Sequence, residues 1–80
     1  MPQVKVFITL KPTLLDAQGR VIENALGALG YDNVKQVRMG KYIEMEVQGD
    51  TPRVEREVRE MCDRLLANPV IEDYRFEVVE

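Results

Sequence analysis

The chain has 80 residues, 45% of them hydrophobic and 31% charged, and a net charge of −3 from 11 Lys+Arg and 14 Asp+Glu. A single domain spanning 1–80 of this size buries only about 60–65% of the surface its unfolded form exposes, so contact with a partner would add to a marginal core. The acidic balance gives no broad pull on phosphate backbones, the lone Cys62 excludes an internal disulfide or multi-cysteine metal site, and the absence of histidine removes the commonest general base and zinc ligand.

No apolar run approaches the ~20 residues of a membrane span, and the first residues lack a signal-peptide core. The expectation is a cytoplasmic protein that uses neither membrane nor nucleic acid as partner.

"VKVFITL" alternates with period two and is rich in β-branched residues, which predicts a strand with Val4, Val6, Ile8 and Leu10 on one side. "KPTLLD" is a loop, since Pro12 cannot join a ladder. Val21, Ile22, Ala25, Leu26 and Leu29 then form the stripe of an amphipathic helix. Asp16 is its best N-cap, with Thr13 and Asp16 as a competing capping box one turn earlier. Gly30 suits the left-handed position after the last turn, followed by Tyr31.

"NVKQVRM" and "KYIEMEV" are expected as a hairpin of two strands joined at "MGKY", with Gly40 supplying a positive φ. The spacing of Val34, Val37 and Met39 is irregular, and a bulge would account for it. "GDTP" starts a second helix, capped by Asp50 or Thr51 with Pro52 in the first turn. Its buried stripe is read as Val54, Val58, Met61, Cys62 and Leu65, and its outer face as Glu55–Arg59 and Glu60–Arg64 pairs. "ANP" ends it, and "EDYRFEVV" alternates as a last strand.

The order β-α-β-β-α-β is that of an α+β, ferredoxin-like fold: a four-stranded antiparallel sheet with two helices on one face. The other face stays open and would carry Phe7, Thr9, Tyr42 and Val79. Phe7, Tyr42 and Val79 are therefore candidate oligomer contacts, against the plainer reading of scattered surface apolars.

Catalytic chemistry finds little footing. Cys62 lies on an apolar stripe with no base to activate it and reads as a small buried hydrophobe. The carboxylates Glu44, Glu46, Glu55, Glu57 and Glu60 sit on solvated faces among Arg and Lys. The five glycines form no phosphate cradle, and no RNP-like sequence accompanies Phe7. What remains is a set of polar and glycine positions where elements begin or end: Asp16, Gln18, Gly19, Arg38, Gly40, Lys41 and Asn68. Gly19, in a first helical turn, costs about 1 kcal/mol against Ala, which needs a reason.

Three blocks then carry a resemblance: "LDAQG" at Leu15–Gly19, "LGY" with "VRMGK" at Leu29–Tyr31 and Val37–Lys41, and "LANPVIEDY" at Leu66–Tyr74. In order and spacing, from Val4 to Val78, the chain resembles the PurS family, the small subunit of phosphoribosylformylglycinamidine (FGAM) synthase. Ala17 departs from the family, which often has proline there.

The resemblance implies a non-catalytic adaptor in de novo purine biosynthesis. In such a complex a glutaminase subunit (PurQ) releases ammonia, and a synthetase subunit (PurL) uses ATP to convert FGAR to FGAM. PurS bridges the two and assists ammonia transfer. It implies a homodimer or higher homo-oligomer, no cofactor bound by this chain, and ATP and Mg used by the complex through PurL. Asp16, Gln18, Gly19, Arg38, Lys41 and Asn68 become candidate partner contacts. For Gly19 the alternative is tight packing within the chain; for Arg38 and Lys41, solvated charges at a turn; for Asn68, a helix end.

Two rivals share the strand order. An ACT-like small-molecule sensor needs a ligand-contacting glycine at the first strand–helix junction, where Gly19 stands. An acylphosphatase needs an arginine loop after the first strand, and "KPTLLD" has no arginine.

Overall fold

Alternation over Gln3–Leu10 (β1) buries Val4, Val6 and Ile8 on one side and leaves Lys5 and Phe7 on the other. The structure is a computed structural model and describes residues 2–80. β1 is the centre of an antiparallel three-stranded sheet, flanked by β2 (Gly40–Glu46) and β3 (Glu72–Val79). Val6 stands opposite Ile43 on one flank and Phe76 on the other, so the inward side chains of all three strands share a face.

The helix α2 (Thr51–Met61) covers that face. Asp50 caps it by accepting from the Arg53 amide at 3.0 Å, and Pro52 sits in the first turn, where its missing N–H is not needed. Val54, Val58 and Cys62 are fully buried and, with Val4, Val6, Ile8 and Ala67, make the core. The helix ends in a π-helical turn over Cys62–Leu66, closed by the Ala67 amide on the Cys62 carbonyl at 3.0 Å. The wider turn advances the inward position by one residue: Leu66 is half-buried, whereas Leu65, expected in the core, is 82% exposed. Arg59 lies over the Phe76 ring at 5.6 Å, and among the described residues the helix ion pair is Arg53–Glu57 at 3.2 Å instead of Glu55–Arg59 or Glu60–Arg64.

The first helix, α1 (Ala17–Ala28), is capped by Asp16. It closes as expected: Gly30 takes φ 99°, its amide bonds to the Gly27 carbonyl, and the Tyr31 amide reaches the Leu26 carbonyl, both at 3.0 Å. Two expectations are corrected here. α1 does not join α2 on the sheet; it leaves the end of the sheet, and Val21 (67% exposed) and Leu29 (74%) meet no layer beneath them. One helix is enough to seal Val4, Val6 and Ile8, so α1 has no buried seat in its own chain.

The segment 33–39 is also not a strand. Gln36 takes φ 58°, a kink between Val34 and Val37 at the irregularity in the pattern, and the Val37 and Met39 amides bond to carboxylates of the α1 region instead of to β2. There is accordingly no hairpin at "MGKY", and Gly40 has no positive φ. It opens β2 opposite Thr9, where a Cβ would run into the Ile8 carbonyl and the Thr9 methyl.

The molecule measures 48 × 26 × 14 Å, with a radius of gyration of 15.9 Å. A compact 80-residue domain would have about 11.6 Å. Among the described residues no helix is long and apolar enough to cross a membrane.

Candidate functional site

The candidate residues gather at one end of the sheet, where β1 stops and β2 and β3 start. Asp16 organises that end. As the N-cap of α1 it has an extended conformation (φ −103°, ψ 94°) and is only 6% exposed. One carboxylate oxygen accepts from the Gly19 amide at 2.9 Å, the other from the Met39 amide at 2.6 Å. The Gly19 and Met39 amides hold its carboxyl below the usual range, and the nearby Arg38 guanidinium adds to this against the opposing effect of burial. Gly19 lies under the Val37 carbonyl, so a side chain has no room there. The glycine is thus explained within the chain, by contact with the returning loop and not with the sheet.

Arg38 closes the same corner. Its guanidinium donates to the carbonyls of Lys11 (2.9 Å), Leu14 (3.2 Å) and Leu10 (3.4 Å), where β1 gives way to a loop. Glu23, one α1 turn beyond Gly19, accepts the Val37 amide at 3.1 Å. An open cleft of ≈ 1000 Å³ runs between this loop and α1, with Arg20, Lys35 and Asp32 among its lining.

Lys41 pairs with Glu72 at 3.4 Å, and the other oxygen of Glu72 accepts the Asn68 amide at 2.7 Å. The Asn68 side chain accepts the Val70 amide at 3.0 Å and its carbonyl accepts from Ile71 and Glu72, so Asn68 builds the turn from α2 into β3. Gln18 is exposed and lines a hollow of ≈ 280 Å³ with Asp16, Lys41 and Glu72. Of the six candidates, Asp16, Gly19, Arg38 and Asn68 serve their own backbone, and Gln18 and Lys41 face outward.

On the open sheet face, Phe7 packs against Tyr42 (ring centroids 5.1 Å apart) and under the Arg75 guanidinium (4.0 Å). Tyr42 donates to Glu44 at 3.0 Å, and Arg75 meets Glu77 at 3.4 Å. Val79 lies along the same face but two rows away from Phe7, outside this cluster.

Sequence reasoning missed Glu23, Glu72 and Arg75. Glu23 lies seven residues after Asp16, two helical turns along the same face, and that spacing was its signal. Glu72 stood inside "NPVIED" without a visible partner, because Lys41 is distant in sequence.

This arrangement fixes shape. Burial pushes the Cys62 thiol up, with Asp63 adding to it, which opposes formation of a nucleophilic thiolate. Among the described residues no three Cys, Asp or Glu side chains gather as metal ligands.

A family model for PurS, described as phosphoribosylformylglycinamidine (FGAM) synthase, matches residues 3–80. The chain belongs to the PurS family. The PurS subunit of phosphoribosylformylglycinamidine synthase from Bacillus subtilis is 46% identical over 80 residues, covering 100% of this chain and 95% of that one. The PurS subunit from Methanocaldococcus jannaschii is 46% identical over 79 residues, covering 98% and 95%. Among solved structures, Bacillus subtilis PurS superimposes with a TM-score of 0.90 at 46% identity and full coverage of both chains. A chain of the PurLQS structure from Thermotoga maritima does so with a TM-score of 0.83 at 32% identity, covering 99% of this chain and 100% of that one. The protruding α1 and the three-stranded sheet thus occur in a protein whose shape matches solved PurS chains throughout.

Proposed function

We propose that this chain is the non-catalytic PurS subunit of an FGAM synthase in de novo purine biosynthesis. It bridges a PurL synthetase subunit and a PurQ glutaminase subunit and assists ammonia transfer during ATP- and glutamine-dependent conversion of FGAR to FGAM. The carrying observation is the family match over residues 3–80 together with the whole-chain likeness to a chain of PurLQS. The site chemistry supports it, since the polar groups at the sheet end bind their own backbone and leave no activated nucleophile. In this reading the chain acts as one cytoplasmic domain, binds no cofactor, and leaves ATP and Mg to PurL. Gln18 and Lys41, with Phe7, Tyr42 and Val79 on the open face, are the candidates that remain available for subunit contacts.

We further infer a homodimer or larger homo-oligomer. The chain exposes 6053 Å². A folded monomer of its 9.2 kDa mass exposes about 4900 Å², so roughly 1100 Å² is in excess, more than the about 800 Å² each partner contributes to a standard interface. The four-stranded ferredoxin-like arrangement belongs to that assembled state in this reading. An ACT-like sensor is not favoured: the glycine it would need lies under the Val37 carbonyl, closed to a ligand.

The test mixes the purified chain with the PurL and PurQ subunits of its own genome. Glutamine-dependent FGAM formation should require the chain. Equal activity without it, or turnover of a substrate by the chain alone, would overturn the assignment.

A further inference from the structure

The sheet face turned away from α2 is patterned along its length. Strand register places Tyr42 and Arg75 on either side of Phe7, and Glu44 and Glu77 on either side of Lys5. Glu46 and Asp73 mark the two ends of the face, opposite Gln3 and Thr9. Four carboxylates thus stand against two cations, Lys5 and Arg75, and the face is acidic.

Its middle row is built as an anchor. The Phe7 ring lies 5.1 Å from the Tyr42 ring and 4.0 Å below the Arg75 guanidinium. Tyr42 is 50% exposed, yet its hydroxyl is tied to Glu44 at 3.0 Å, and Arg75 is tied to Glu77 at 3.4 Å. Both side chains are therefore held in one place before a partner arrives, which lowers the entropy cost of binding through them. Tyr and Arg are also the residue types that carry much of the binding energy at protein interfaces, typically inside a polar rim. Here the rim consists of carboxylates.

That charge selects the occupant. A second copy would bring the same excess of carboxylates, and like charges pressed together oppose association. Nucleic acid and anionic lipid are repelled for the same reason. The three strands span about 14 Å by 27 Å, roughly 400 Å². That is half of what one member of a standard pair contributes, so the face suits one contact within a larger assembly. The synthetase subunit of the proposed complex handles two phosphate-bearing substrates, and a surface that attracts such anions carries a surplus of Lys and Arg. We propose that the open sheet face docks on a basic patch of PurL with an apolar centre. Phe7 and Tyr42 meet the apolar centre, and Glu44, Glu46, Asp73 and Glu77 meet the surrounding Lys and Arg. This rests on the PurS-subunit reading and adds the surface that carries the contact.

The test titrates the chain into PurL and PurQ with glutamine, ATP and FGAR, and reads the chain concentration that gives half-maximal FGAM formation. Glu46→Lys with Asp73→Lys makes the face basic, and neither carboxylate is hydrogen-bonded or ion-paired among the described residues. Tyr42→Thr removes the anchor but keeps a strand-forming residue; circular dichroism checks the fold of both variants. The half-saturating concentration should rise about tenfold or more for the charge reversal, and the rise should be smaller in about 300 mM salt than in about 50 mM. Tyr42→Thr should raise it at both salt concentrations. A chain carrying Val79→benzoylphenylalanine, 47% exposed on the same face, should photo-crosslink to PurL in the active complex. An unchanged half-saturating concentration in either folded variant would overturn the proposal. So would a crosslink to PurQ or to a second copy, or no crosslink in a complex that forms FGAM. Failure of the unaltered chain to support FGAM formation would instead remove the PurS-subunit reading on which the proposal rests.

Discussion

The Val37 carbonyl occupies the space that a methyl group at Gly19 would need. The contact seats the loop after α1 against the first turn of the helix. By helix propensity alone Gly19→Ala should stabilise by about 1 kcal/mol. The contact reverses the sign. Overpacking of this kind costs about 1–3 kcal/mol, so the variant should melt lower by about 4–8 °C for each net kcal/mol lost. Differential scanning calorimetry checks this, and a raised melting temperature would show that the loop yields freely.

Asp16 makes a pH prediction. Its folded carboxyl titrates below the unfolded one, because the Gly19 and Met39 amides bond to the charged form. The stability it contributes is therefore complete above the unfolded value of about pH 4 and disappears as pH falls through the depressed folded value. Urea unfolding of the natural chain and Asp16→Asn should differ by a constant amount at neutral pH, and the difference should shrink below about pH 4. A difference that grows on acidification would contradict the assigned bonds.

Arg38 is expected to hold the loop after β1 in place. Arg38→Ala should cost about 0.5–1.5 kcal/mol per hydrogen bond that water does not replace, and residues 11–15 should become the first site of limited proteolysis. Arg38→Lys should restore little of the protection, since an ammonium cannot span three carbonyls as a planar guanidinium does.

Cys62 should resist alkylation in the native protein and react on unfolding, because burial raises its thiol and closes access to it. Cys62→Ser would place a hydroxyl among Val54, Val58 and Val4, at about 1–3 kcal/mol if unpaired. Cys62→Ala should be the milder change. Alkylation rates with and without denaturant, beside melting curves for both variants, decide it.

Much of this architecture could be read from residue order. Val4, Val6 and Ile8 announced β1 because one face of a central strand must be apolar along its length. Asp16, Gly30, Asp50 and Pro52 marked helix ends because free amides and carbonyls there need particular partners. Residues 33–39 were misread because apolar spacing does not say whether a segment pairs with a strand: Gln36 breaks the extended run at φ 58°, and the Val37 and Met39 amides bond to Glu23 and Asp16. Leu65 was misplaced because a π-helical turn leaves no mark in a pattern scanned at 3.6 residues per turn. At the sheet end, the positions were visible but their partners were not: Arg38 meets carbonyls more than 23 residues away, and no local spacing encodes that.

Because β1 lies in the middle of the sheet, between strands that both follow it in sequence, it stays bare on one flank until Glu72–Val79 arrives and Val6 finds Phe76. Such non-local pairing slows folding. Damage to Glu72–Val79 would therefore strip the central strand of a neighbour.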